Sequence, residues 1–308
     1  MQTKPSKIPP AIWELLPSEA DVAFYEEHGW YVSPKVLSEE SVDAAVLAAE
    51  CFYQGERDWP MPVSSGYRNW TPQAGLHGTR NNEFVTLQSH RLREFALQPI
   101  IGAIAARLTR SSQIRLFDDQ LVYKPPLEPQ PGQSQPGQSQ PVPSSVGWHA
   151  DRAYWATCSS HNLLTAWIPL HDCIEAQGPL VVLDGSHKWL GLEDKRCFNN
   201  LDLDGLEAEF HNSGRDVVKI PMVLQKGQMS FHHCWAIHGS YPNRSQQPRL
   251  AMALHLQDQA NRYQAFWNAA GEEIHIFDER LCRKQPNGDP DFSDPEIFPV
   301  LWEEEDHR

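Results

Sequence analysis

The spacing of apolar positions changes once along the chain. Helical periodicity marks residues 19–28 and 38–54. In the second segment Ser38 is a candidate N-cap, and Val42, Ala45, Val46 and Ala49 recur one helical turn apart. Between them Gly29 to Ser33 (GWYVS) predicts a short strand. Residues 55–80, rich in Trp, Pro, Gly and Asn, read as a long loop, and 91–108 as one further helix. Beyond that point the apolar runs shorten, gain Val, Ile, Leu and aromatic residues, and are separated by Gly, Pro or Asn. They predict strands at 113–124, 163–170, 178–183, 216–224, 227–233 and 249–257. Helices followed by many short strands imply a mainly β architecture with flanking helices, an antiparallel double sheet buttressed on one face. The segment 127–145, LEPQPGQSQPGQSQPVPSS, repeats PGQSQ in tandem and cannot bury a core. It reads as a loop inserted between two strands, either a tolerated surface insertion or a lid beside a site.

Composition narrows the class of protein. Of 308 residues 40% are hydrophobic, enough to bury a substantial core. No apolar run reaches the roughly eighteen residues of a membrane span. The first residues lack an apolar signal-peptide core, and the C-terminal EEEDHR matches no retention or lipidation signal, so a soluble, cytoplasmic protein is expected. Six cysteines (Cys51, Cys158, Cys173, Cys197, Cys234 and Cys282) stand far apart without a CxxC pair. That argues against a zinc ribbon, a dithiol redox site or a disulfide scaffold. A formal charge of -14 disfavours nucleic acid as a partner. A small-molecule partner is expected, and a small anion held locally by Arg or Lys remains compatible with that charge.

The first candidate for chemistry is Trp148-His149-Ala150-Asp151. In an extended chain residues i and i+2 point the same way, so His149 and Asp151 can chelate one ion from one edge. A second imidazole would complete the two-His, one-carboxylate face that holds non-haem iron(II) with open positions for a 2-oxo acid and dioxygen. Four histidines are available for it: His232, His233, His238 and His255. His238 is followed by Gly239-Ser240, which lets the backbone turn away behind a ligand; His232 and His233 fit core or supporting roles. Arg249 leads the small-residue face of a strand, alternating with Leu250, Met252, Leu254 and Leu256. Its planar fork suits a carboxylate, with Ser240 adding a hydroxyl, and a structural salt bridge is the other reading.

At these residues the sequence resembles the phytanoyl-CoA dioxygenase family. The resemblance is carried by DQLVYKPP (119–126), GWHAD (147–151), LLTAWIPL (163–170), GPLVVLDGSHKW (178–189) and HGSYPNRSQQPR (238–249), together with FYEEHGWYVSPKVLSEESV (24–42). It implies a jelly-roll core of the cupin-like, double-stranded β-helix kind. It also implies iron(II) held by His149, Asp151 and His238, and 2-oxoglutarate bound by Arg249 and Ser240 with Gln120 and Trp167 lining its pocket. Dioxygen would be the oxidant and a small organic molecule the substrate, hydroxylated or otherwise oxidised with release of succinate and carbon dioxide. On this reading residues 1–308 form one domain: a helical part about 1–112, a jelly-roll core about 113–260 and an extension 261–308. Ala150 stands where relatives often carry glutamine, and Asp184 where they carry proline. Candidate substrate contacts are Trp148, Tyr154, Trp155, Trp235 and the loop His77–Asn82.

Two other function classes compete. A non-redox cupin-like hydrolase or isomerase could use the same three ligands, and a catalytically silent module could bind iron and 2-oxoglutarate without turnover. Neither a GxSxG elbow nor a Walker or dinucleotide fingerprint is present.

Overall fold

The computed structural model describes residue 8 and residues 10–74, 78–127, 145–192 and 196–304. Almost all of the Gln/Pro-rich segment, and His77, lie outside the described residues. The helices are α1 (Pro10–Trp13), α2 (Glu19–His28), α3 (Glu39–Tyr53), α4 (His90–Ala96), α5 (Pro99–Thr109) and α6 (Leu203–Asn212). Ser18 and Ser38 accept N-cap hydrogen bonds from the backbone of Asp21 and Ser41. The helix expected over 91–108 is two helices, because Pro99 supplies no amide hydrogen and opens α5 at its first turn. Helix α6 has no counterpart in the sequence reading, which assigned nothing to that stretch.

The strands run β1 (Trp30–Val32), β2 (Arg80–Glu83), β3 (Gln113–Lys124), β4 (Val146–His149), β5 (Leu164–Pro169), β6 (Val181–Leu183) and β7 (Lys219–Pro221). They continue with β8 (Ser230–His233), β9 (His238–Ser240), β10 (Arg249–Asp258), β11 (Phe266–Trp267), β12 (Glu273–Ile274) and β13 (Val300–Glu303). The larger sheet has the order β1-β8-β5-β10-β3-β13, with β2 also on β3; the smaller is β4-β9-β6-β7; β11 and β12 form a hairpin. All the pairings are antiparallel. The larger sheet draws strands from the N-terminal part and the C-terminal extension as well as from the central region. The short strands β2, β4, β9, β11, β12 and β13, two to four residues each, have no counterpart among the predicted strands, because so few residues carry no alternation of their own.

Strand alternation sorts the β10 side chains as its sequence implies. Leu250, Met252, Leu254 and Leu256 join the core between the larger sheet and α2, α3 and α5, while Arg249, Ala253 and His255 face the cavity between the sheets. A second apolar cluster with Trp167, Val182, Ala236 and Ala251 ties one sheet to the other. Asp184 accepts hydrogen bonds from His28 Nδ1 at 2.9 Å and Trp30 Nε1 at 2.7 Å, so the residue replacing proline fastens a turn of the smaller sheet to α2 and β1. The six cysteines are free. Among the described residues no helix is long and apolar enough to cross a membrane.

Candidate metal and co-substrate site

Strands β4 and β9 pair so that His149 lies opposite His238. Asp151 follows at the first turn of a short 3-10 helix, Asp151–Tyr154. These three offer ligand atoms that all lie within 4.8 Å of one another, and all three are buried. His149 Nδ1 bonds the Gly147 carbonyl at 2.7 Å and His238 Nδ1 the Ala236 carbonyl at 3.0 Å. A carbonyl only accepts, so each Nδ1 carries the proton and each Nε2 presents its lone pair to the site. The Asp151 Oδ1 atom stands 3.6 Å from His149 Nε2 and 3.4 Å from His238 Nε2. Burial alone would raise the Asp151 carboxyl; the surrounding histidines, His238 first and then His149 and His232, hold it well below the usual range. The three donors fit a divalent iron ion that leaves other coordination positions open.

The other carboxylate oxygen is held from behind. Thr165 Oγ1 donates to Asp151 Oδ2 at 2.6 Å and accepts from His255 Nδ1 at 2.8 Å. His232 Nε2 lies 3.3 Å from the same Oδ2. Burial pushes both His232 and His255 down to about 4, so they are neutral imidazoles near pH 7. Thr165 was not singled out by its sequence, because a threonine inside an apolar run signals only strand. Thr165→Val should leave the fold intact yet weaken iron(II) binding by about ten- to a hundredfold, as is typical when a ligand's supporting partner is lost. Anaerobic iron titration checks this, and an affinity equal to the parent's would refute the assigned role.

At the far end of β10, Arg249 pairs in register with Lys124 of β3. Both are buried, at 3% and 0% exposure, and among the described residues neither has a carboxylate partner. Lys124 Nζ donates to Ser240 Oγ and to the Tyr241 carbonyl, each at 2.7 Å. Arg249 donates to the Gly178 carbonyl at 3.2 Å, and its Nε is buried without a partner. Burial pulls Arg249 down to about 10; burial and the adjacent Arg249 pull Lys124 well below its ordinary value. Two buried cations side by side are costly unless an anion joins them, and the fork of Arg249 fits a carboxylate. This arrangement matches a dicarboxylate reaching from the metal. In the sequence Lys124 is only one letter of the DQLVYKPP motif; its tie to Ser240 needed the fold.

One cavity of about 580 Å³ contains His149, Asp151 and His238 as well as Arg249, Ser240, Gln120 and Trp167. Tyr154, Trp155, Gly78, Thr79 and Asn81 also line it. Trp148 does not, contrary to expectation. It follows the strand alternation to the face opposite His149 and packs, fully buried, with Leu206 and Phe210 of α6. Trp235 likewise packs outside the cavity, stacked on His161.

The family model described as Phytanoyl-CoA dioxygenase (PhyH) matches residues 25–251. The peroxisomal phytanoyl-CoA dioxygenase of Bos taurus is 30% identical over 113 residues, 36% of this chain and 33% of that protein. The chain thus aligns with about a third of the bovine relative's length. The Rattus norvegicus protein is 23% identical over 266 residues, covering 82% of this chain and 71% of the relative. Among solved structures, the non-heme alpha ketoglutarate dependent carbocyclase SnoK from nogalamycin biosynthesis superposes with a TM-score of 0.66. It shares 24% identity over 92% of this chain and 96% of its own, a likeness of fold.

Proposed function

The chain belongs to the phytanoyl-CoA dioxygenase family, and from that premise we propose that its cavity carries out iron(II)- and 2-oxoglutarate-dependent oxidation of a small organic molecule. The observation that carries the reading is a buried His-Asp-His set in a cavity that Arg249 also lines, with Lys124 paired beside Arg249 and, among the described residues, no carboxylate partner for either. When bound, iron(II), 2-oxoglutarate and dioxygen supply the oxidising power: 2-oxoglutarate becomes succinate and carbon dioxide, and a substrate C–H bond is hydroxylated or otherwise oxidised. The protein's own part is positional. His149, Asp151 and His238 hold the metal, and Thr165 fixes the carboxylate orientation. Arg249, Lys124 and Ser240 bind the distal carboxylate, and Gln120 and Trp167 close the co-substrate pocket.

A hydrolase or isomerase reading would leave Arg249 and Lys124 as buried charges with nothing to bind. The whole chain is read as one catalytic unit, cytoplasmic, and without a nucleic-acid partner given its charge of -14. The deciding experiment is an anaerobic titration of the iron(II)-loaded protein with 2-oxoglutarate, followed through its visible charge-transfer band. A saturable band supports the assignment. Retention of iron with no band under saturating 2-oxoglutarate would overturn it.

A further inference from the structure

The cavity is electrically divided. Strand β10 runs along it from Arg249 to His255, six residues and thus roughly 20 Å. Arg249 lines one end, with Lys124 paired beside it. At the His255 end, beside the metal ligands, Asp151 lies 3.7 Å from His255, and Asp118 of β3 is His255's cross-strand partner. A β-bulge interrupts the pairing immediately beyond that residue, between His255 and Leu256. It brings Phe117 out of the helix-side core, into a cluster with Trp155, next to Asp118, which lines the cavity.

Asp118 is 9% exposed, and its Oδ1 has no hydrogen-bond partner. Asp278, from the short 3-10 helix Phe277–Arg280, is 4% exposed and also has an unpartnered Oδ1. Glu83 belongs to the same acidic group, but Arg68 neutralises it through an ion pair of 3.4 Å and a backbone donation of 2.7 Å. No cation does the same for the two aspartates among the described residues. Burial, then Asp278, Glu83 and Asp119, push the Asp118 carboxyl well up; burial, with Glu83 and Glu279, pushes Asp278 up to about 8. Each is a buried carboxyl whose ionised form a neighbouring positive charge would stabilise, as an anion would stabilise the charged forms of Arg249 and Lys124.

We propose that Asp118, backed by Asp278, is an ammonium-binding subsite, so that the molecule oxidised in this cavity carries a protonated amine beside the carbon presented to the metal. The proposal rests on the dioxygenase reading. It divides the cavity between two ligands of opposite charge: 2-oxoglutarate takes the cationic end and the substrate's amine the acidic end. Tyr154 and Trp155 of the same wall offer aromatic surface to the rest of the substrate.

The test uses the full-length protein loaded anaerobically with iron(II) and 2-oxoglutarate, its charge-transfer band recorded first. Matched probes are then titrated in: 2-phenylethylamine against 2-phenylethanol, and hexylamine against hexanol. Each amine should perturb the band at a concentration at least about tenfold below that of its alcohol, the scale of one charge-assisted hydrogen bond. Asp118→Asn, still forming the band, should lose that preference, and Asp278→Asn should reduce it. Alcohols binding as well as amines, no amine binding in either pair, or a preference that survives Asp118→Asn would each overturn the subsite. The comparison within the parent protein needs no variant. Failure of the band itself would refute the dioxygenase reading; a normal band without amine preference refutes the subsite alone.

Discussion

Asp151→Ala should cost more than about a hundredfold in iron(II) affinity, beyond the range seen for loss of a supporting partner, and should abolish coupled succinate production. Two consequences coincide in that one side chain. Its Oδ1 faces the imidazoles of His149 and His238, and its Oδ2 is the acceptor for the Thr165 hydroxyl and lies next to His232. Truncation removes the only negative charge in the ligand set and leaves buried donors unsatisfied, at about 1–3 kcal/mol for each such group. The apo protein should therefore unfold at a lower temperature as well. Asp151→Asn separates the effects. It keeps an oxygen for Thr165 but loses the charge, so stability should recover more than iron binding does. Iron titration and thermal unfolding of both variants are the measurements; wild-type iron affinity in either would remove Asp151 from the ligand set.

The second large effect is expected at Arg249. Arg249→Ala should weaken 2-oxoglutarate binding by about 2–4 kcal/mol, roughly thirty- to a thousandfold, the range for truncating one partner of a buried charge pair. Iron affinity should be unchanged, since the three metal donors lie elsewhere in the cavity. Arg249→Lys should rescue poorly, because an ammonium cannot reproduce the planar fork. Stability gives an independent readout. In the apo parent Arg249 has no anionic partner among the described residues and its Nε is unsatisfied, so its removal should destabilise little. The stabilisation that 2-oxoglutarate confers on the parent should be largely absent in the variant. Unaltered co-substrate affinity would make Arg249 a structural cation instead.

Asp278 makes a prediction of opposite sign. Its folded-state value of about 8 lies above the roughly 3.9 of an unperturbed aspartate. A raised value means the native state binds the proton more tightly, so this group favours the fold at low pH and loses that contribution as pH rises from the ordinary value toward 8. Asp278→Asn should accordingly be more stable than the parent at pH 8, with the advantage vanishing toward pH 4. Thermal unfolding across that window checks it, and an advantage independent of pH would show that the carboxyl is compensated in solution.

What the chain determines locally was legible without a structure. The N-cap serine of α3, the two-residue step from His149 to Asp151, and the division of β10 into an apolar face and an Arg249–His255 face all follow from patterns of a few residues. The family motifs likewise fall on strands of both sheets, on β1, β3 and β5 of the larger and on β4, β6 and β9 of the smaller. Pairing across the chain decided the rest. His238 stands apart from His232 and His255 because β9, not β8 or β10, lies against β4, while those two reach Asp151 from the opposite sheet. Trp148 points into a core and Trp155 into the cavity because strand parity and a short helical turn separate them, although both are tryptophans beside the same motif. The surroundings of Asp118 and Asp278 depend on the pairing of β3 with β10 and on an element near the C-terminus. No local pattern encodes the absence of a neutralising partner, since that is a property of everything the fold brings within reach.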